Sequence, residues 1–268
     1  MAALTELWWA YLAIGAGVGF LAGMLGIGGG MVQVALMVFV CSAKGYPTEH
    51  VVHMAIATAM ATIPFTAAAS VGAHHGRGNV DWGIVRGMLP GLLAGAALGA
   101  LSTGLIPARP LAVFFTAFIF LAGTNMFFDL KPGSQRELPG RVGLLGFGAF
   151  TGVISSYLAA GAAFMTIPFM SWCSVPLKRA IGTAAALGFP LGVAGTLGYI
   201  WGGWGRPGLP EATLGYVYLP ALAMIAVSSM PLAPLGARAS AALPVRHLRR
   251  VFGVILYALV ARMLVSLW

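Results

Sequence analysis

The sequence predicts an all-α polytopic membrane protein made of two inverted repeats, each a broken or re-entrant glycine-rich helix hairpin followed by three transmembrane helices. Three observations predict it: an apolar composition poor in charge, apolar segments of spanning length along the whole chain, and an internal similarity between the halves. Of 268 residues, 59% are hydrophobic and 8% charged, and the mean hydropathy is +0.91. Soluble domains carry roughly 25% charged residues, and no fold in water hides so much apolar surface.

In order, the apolar segments are 7–43, 51–73, 83–106, 111–128, 142–173, 180–201, 213–235 and 248–268. Roughly 20 residues of helix cross a hydrocarbon core, so six of these are single spans. The first and fifth run to 37 and 32 residues and are interrupted by the small-residue patches GMLGIGGGMVQV and SSYLAAGAAFMTIP. The 38 glycines and 16 prolines read here as packing and hinge signals, since small residues let helices approach and prolines mark broken ones. The opening MAALTELWWAYL has no basic start and no small-residue cleavage signature, and is expected to begin the mature first helix.

The two patches reveal a duplication. A shift of 133 places Gly19 on Gly152, Gly28 on Gly161, Gly30 on Ala163, Met31 on Phe164 and Gln33 on Thr166. A shift of 125 places Ala55–Thr58 on Ala180–Thr183, and a shift of 130 places Leu89-Pro90 on Leu219-Pro220. The expected organisation is repeat 1 over 1–128, a cytoplasmic linker over 129–141 and repeat 2 over 142–268.

Lys and Arg hold loops on the cytoplasmic side, which decides how the long segments cross. If each were one crossing, the 15 basic residues would divide eight to seven. If each bends at its patch and returns, eleven (Arg77, Arg86, Lys131, Arg136, Arg141, Lys178, Arg179, Arg238, Arg246, Arg249, Arg250) fall on one side and four (Lys44, Arg109, Arg206, Arg262) on the other. The bias selects returning hairpins, inverted halves and both termini in the periplasm. After its bend, the piece from Met31 to Ala43 is a half-span.

The net charge of +9 is topogenic on this reading. Basic residues without a basic face or aromatic platform exclude nucleic acid as a partner. Cys41 and Cys173 stand alone, without metal or disulfide spacing, and no metal or cofactor is expected. The acids Glu6, Glu49, Asp81, Asp129, Glu137 and Glu211 fall in or beside loops, and no HExxH, nucleophile elbow or Walker loop occurs. No catalytic residues are therefore assigned, and the chain is expected not to be an enzyme.

Two groups of residues could carry function. A helix beginning near Met31, after Gly28, Gly29 and Gly30, would aim free N–H groups and a positive dipole end into the protein, a ready anion site. Its mate begins near Phe164. The same glycines could simply permit tight helix crossing. The second group is polar side chains in apolar spans: Gln33, His53, Thr58, Thr62, Ser155, Ser156, Tyr157, Thr166 and Thr183. Most could equally bond helix to helix or back to their own carbonyls. Gln33, one turn past the glycines, and the repeat-matched Thr58 and Thr183 stand out. His53 could couple protons or sit at the membrane interface; His74 and His75 read as loop residues.

On GFLAGMLGIGGGMVQV, HMAIATAMATIPFT followed by AHHGRGNVDW, AIGTAAALGFPLGVAGTLGYI and LPVRHLRRVF, the chain resembles the TauE/SafE family of sulfite and sulfonate exporters over nearly its whole length. The resemblance implies a secondary transporter of the bacterial inner membrane, working in export of small sulfur-containing anions such as sulfite, sulfoacetate or other organosulfonates. The family's glycine run maps onto Gly28, Gly29 and Gly30 and its threonines onto Thr58 and Thr183. The chain departs from the pattern at Gly161-Ala162-Ala163, Ala59, Ala184 and Ala35. The expected substrate-binding set is Gly28, Gly29, Gly30, Gln33, Thr58, Gly161, Ala163, Thr166 and Thr183, with His53 for proton coupling and transport by alternating access. A passive small-anion channel along the same path is the alternative. Expected partners are the small anion and the lipid bilayer, and homo-oligomerisation stays open.

Overall fold

A computed structural model describes residues 8–25, 29–128, 136–242 and 245–267. Ten helices carry the described chain. The first half has α1 (Trp8–Leu25), α2 (Gly30–Ala43), α3 (Thr48–His75), α4 (Trp82–Thr103) and α5 (Ala108–Phe128). The second half has α6 (Arg141–Leu158), α7 (Gly161–Trp172), α8 (Leu177–Gly202), a two-stranded antiparallel hairpin β1 (Thr213–Leu214) and β2 (Val217–Tyr218), α9 (Leu219–Ala242) and α10 (Val245–Leu267). Among the described residues, six helices are long and apolar enough to cross a membrane, namely α3, α4, α5, α6, α8 and α9. This is an all-α polytopic membrane protein.

Both long apolar segments break where the small residues are. Val18 of α1 faces Gly29, while the Lys44 ammonium lies 5.1 Å from the centroid of the Tyr11 ring, so α2 runs back along α1. Likewise Phe147 stacks on Phe169 at 3.8 Å, and the Arg136 amide donates to the carbonyl of Trp172 at 3.1 Å, so α7 returns along α6. Sequence places the first residue after each bend at Met31 and near Phe164; the helices start at Gly30 and Gly161. It also begins the seventh segment at residue 213, but 213–218 forms the β-hairpin and the helix starts at Leu219.

Packing between the halves is reciprocal. Helix α1 lies parallel to α9, with Gly15, Gly19 and Gly23 against Ile225, Ser229 and Ala233. Helix α4 lies parallel to α6, with Gly87, Gly91 and Gly95 against Leu144, Leu145 and Ala149. By contrast α3 and α8 run antiparallel, Met60 meeting Gly195 and Pro64 meeting Gly192. So do α5 and α10, Gly123 meeting Gly253 and Thr116 meeting Met263. Each hairpin's first helix thus packs on a helix of the other half. Small residues at these seams bring backbones into direct contact, the means by which helices associate where lipid removes the hydrophobic drive.

The contacts sort the loops to two ends. Residues 44–46, 103–107 and 206–218 meet at one, through Tyr46 Oη donating to Tyr218 Oη, His50 to the Pro207 carbonyl and Arg206 to the Gly104 carbonyl. Asn79 meets Gly182 and Arg136 meets Trp172 at the other.

A side chain at Gly95 would collide with the Ala149 backbone, whereas a Cβ added at Gly146 would meet nothing within 4 Å. Gly95→Leu is expected to cost about 1–3 kcal/mol by overpacking and to lower the apparent Tm of purified protein. Gly146→Leu should leave it close to wild type.

Candidate functional site

The two breaks meet inside the molecule. A Cβ on Gly30 would run into the carbonyl oxygen of Ala159, so only glycine lets the start of α2 touch the end of α6. At the second break, Ala159 has φ 47° and Gly161 φ 64°, a left-handed turn that glycine adopts without strain. The carbonyls released at the end of α6 are partly taken up: Tyr199 Oη donates to Ser156 O at 2.8 Å. Ser155 Oγ reaches the Gly161 carbonyl at 3.4 Å.

Gly29 and Gly30 are buried, and the first intrahelical bond of α2 is Gln33 N to Gly29 O at 2.9 Å. Gly29 carries no side-chain cap, so the amides of the first turn point past the helix end, where partial positive charge gathers. Gln33 stands one turn further on, with 0% exposure. Its Oε1 accepts from Thr62 Oγ1 at 2.8 Å, while that hydroxyl also reaches Ala59 O at 2.7 Å. Among the described residues, Gln33 Nε2 has no hydrogen-bond partner. Thr62 has a single hydroxyl proton, so either orientation of the Gln33 amide leaves at least one N–H unsatisfied. A buried donor without a partner costs about 1–3 kcal/mol, and an acceptor placed there recovers it.

The expected residues divide. Gly29, Gly30 and Gln33 gather at the hairpin contact, with buried Gly161 and Ala163 on the facing hairpin. Gly28 lies outside the described residues. Thr166, the repeat mate of Gln33, is buried and bonds back to Ala162 O at 2.8 Å. Thr58 and Thr183 have other partners: Thr58 Oγ1 accepts from Tyr218 N at 3.0 Å, and Thr183 Oγ1 accepts from Asp81 N at 2.9 Å. Each threonine therefore holds the chain just before a helix of the other half. Because α3 and α8 are antiparallel, the two threonines stand about 14 residues, or roughly 20 Å, apart along the axis. Thr62 is what the structure adds to Gln33; the i+4 spacing from Thr58 places it on the same face of α3.

His53 sits apart from the hairpin contact, 3% exposed. Its Nε2 lies 2.9 Å from Thr103 O and 3.0 Å from Ile106 O, and its ring stacks on Tyr216 at 5.1 Å. It lines a cavity of about 770 Å³ at the end formed by 44–46, 103–107 and 206–218. Among the described residues, no group of three or more His, Cys, Asp or Glu is placed to hold a metal ion.

Membrane-length helices around two broken hairpins, with an unsatisfied amide where they meet, define a multi-pass membrane protein with an interior polar site. The chain belongs to the TauE/SafE family: the family model described as "Sulfite exporter TauE/SafE" matches residues 11–263. It is 34% identical over 254 residues to a "Probable membrane transporter protein" of Haemophilus influenzae, covering 94% of this chain and 96% of that one. It is 28% identical over 197 residues to "Probable membrane transporter protein YdhB" of Bacillus subtilis, covering 69% and 76%. A Methanocaldococcus jannaschii protein, "Probable membrane transporter protein MJ0441", is 24% identical over 261 residues, 91% of each chain. No solved structure matches significantly. The protein is a membrane transporter.

Replacing Thr58 or Thr183 by Val leaves a backbone N–H without its acceptor, at about 1–3 kcal/mol each. Either variant should lower the apparent Tm in detergent, and Ser at the same position should restore most of the loss.

Proposed function

We propose that the protein is a secondary transporter that exports small sulfur-containing anions, such as sulfite, sulfoacetate or other organosulfonates, across the bacterial inner membrane by alternating access. The observation that carries this reading is the Gln33 amide: a fully buried donor with no partner among the described residues, one turn inside a helix whose first amides open at the hairpin contact. Donors without acceptors in a low-dielectric interior select an anion, and helix starts supply them without a buried Lys or Arg. The sulfur chemistry follows the family description.

Inverted halves are supported by the antiparallel packing of α3 on α8 and α5 on α10, since a two-fold axis in the membrane plane makes repeat mates cross head to tail. The returning hairpins support the eleven-to-four division of basic residues, which puts 129–141 in the cytoplasm and both termini in the periplasm. Thr183 stands roughly 20 Å from Thr58 along the α3–α8 axis; the proposed substrate contacts are Gly28, Gly29, Gly30 and Gln33, with Thr58 one turn from Thr62 on the same face of α3 and Gly161, Ala163 and Thr166 across from them.

Gln33→Ala should weaken sulfite or sulfoacetate binding to purified protein by about tenfold or more, the worth of a hydrogen bond to a charged group, with the Tm little changed. Unaltered affinity would remove Gln33 from the site. In proteoliposomes, trans substrate should accelerate uptake of labelled anion, which an open channel would not show. For topology, a membrane-impermeant thiol reagent on spheroplasts should label Glu211→Cys and leave Glu137→Cys untouched; the opposite pattern would invert the orientation.

A further inference from the structure

Beside Gln33, one proton has two places to go. Thr62 Oγ1 lies 2.8 Å from Gln33 Oε1 and 2.7 Å from Ala59 O, and a hydroxyl carries a single hydrogen. Gln33 is 0% and Thr62 4% exposed, so the choice is made inside the protein. The Ala59 carbonyl does not depend on it, because its regular partner within α3 is the amide four residues on, that of Ile63. Each choice fixes what Gln33 presents. When the hydroxyl donates to Oε1, the amide is left with both Nε2 hydrogens free. When it donates to Ala59 O, its oxygen is left as an acceptor, and the amide turns over to give it an N–H. The first arrangement offers donors to an anion; the second offers a carbonyl oxygen, which repels one.

The second half carries no such pair. At the shift that sets Ala55–Thr58 on Ala180–Thr183, Thr62 falls on Leu187, and at the hairpin shift Gln33 falls on Thr166. Leu187 is fully buried, so the packing of α3 and α8 accepts an apolar side chain at this depth. Thr166 donates back to Ala162 O at 2.8 Å. Thr58, one turn before Thr62, makes the contrast. It is matched by Thr183, and both accept from a backbone N–H of the other half. The threonine that holds backbone is thus present in both halves, whereas the one that meets the Gln33 amide is present in the first alone.

We propose that Thr62 is a positioning residue for the anion: by donating to Gln33 Oε1, its hydroxyl turns the amide so that both Nε2 hydrogens are left for the substrate. The inference rests on the reading of Gln33 as an anion contact and adds what sets the polarity of that contact. Hydroxyl and anion then act on each other reciprocally. A bound anion holds the Thr62 proton on Oε1, and without an anion the proton is released to Ala59 O. Removing the hydroxyl weakens the anion although Gln33 itself is still in place, since nothing then favours the donor face of its amide.

The test is a double-mutant cycle on full-length protein in lipid nanodiscs, titrated calorimetrically with methanesulfonate into the millimolar range so that weakened variants are still measured. Thr62→Val keeps the shape of the side chain and loses the hydroxyl. It should weaken binding by roughly tenfold when Gln33 is present and by less than about twofold in the Gln33→Ala background. Thr62→Ser should bind within about threefold of wild type. Should Thr62→Val fail to fold, Thr62→Ala takes its place in the cycle with the same expected dependence on Gln33. A threonine that served packing alone would weaken binding equally in both backgrounds, and that result overturns the proposal. So does wild-type affinity in the hydroxyl-free variant, or a Thr62→Ser protein as weak as Thr62→Val. Failure of the Gln33 reading looks different: Gln33→Ala would then bind methanesulfonate as tightly as wild type, or wild type would not bind it at all, and this inference would fall with that reading.

Discussion

Lipid supplies no hydrogen bonds, so a helix that breaks within a membrane must bury its loose backbone groups against protein. That constraint organises this molecule. The two breaks are pressed together, Gly30 against the Ala159 carbonyl, and neighbours take up what they can, as Tyr199 does for Ser156 O. The accounting does not close at the start of α2. Its first amides have no side-chain cap, and Gln33 beside them has no partner for Nε2 among the described residues. An unfilled requirement at the meeting point of two hairpins is what a bound anion would complete.

The same constraint explains why the halves are interleaved. A half-span such as α2 or α7 cannot shield its own tip, so each hairpin is packed through its longer helix on the other half, α1 on α9 and α6 on α4. The threonine contacts reinforce the exchange. Thr58 of α3 holds the chain entering α9, and Thr183 of α8 holds the chain entering α4. Displacing one of these helices therefore pulls on an element of the opposite half. This reciprocity suits a structure that exchanges two arrangements around a fixed centre.

Much of this is legible in the sequence because the bilayer is a demanding solvent. Span lengths are dictated by its thickness, so segments such as 83–106 and 111–128 fall close to α4 and α5. The over-long segments and their small-residue patches expose the breaks, and the basic residues expose the return of each hairpin. What stays hidden depends on distant pairing. Thr58 and Thr183 stand out because they match across the repeats, yet matching does not say what a hydroxyl faces, and both face backbone amides. Thr62 looks like one more intramembrane threonine until α3 is packed on α2. The β-hairpin 213–218 is hidden inside an apolar run because Val217 and Tyr218 are as hydrophobic as many helix residues.

Backbone symmetry and side-chain chemistry part company at the functional positions. By the repeat alignment, Gln33 corresponds to Thr166 and His53 to Lys178. Gln33 offers an unmet donor, whereas Thr166 satisfies itself on Ala162 O. His53 is buried, whereas Lys178 is exposed. Two inverted halves with identical side chains would present equivalent surfaces to the two sides of the membrane and have no built-in preference for either. Unequal pairs such as these give the two halves different chemistry within a scaffold whose helix packing is reciprocal.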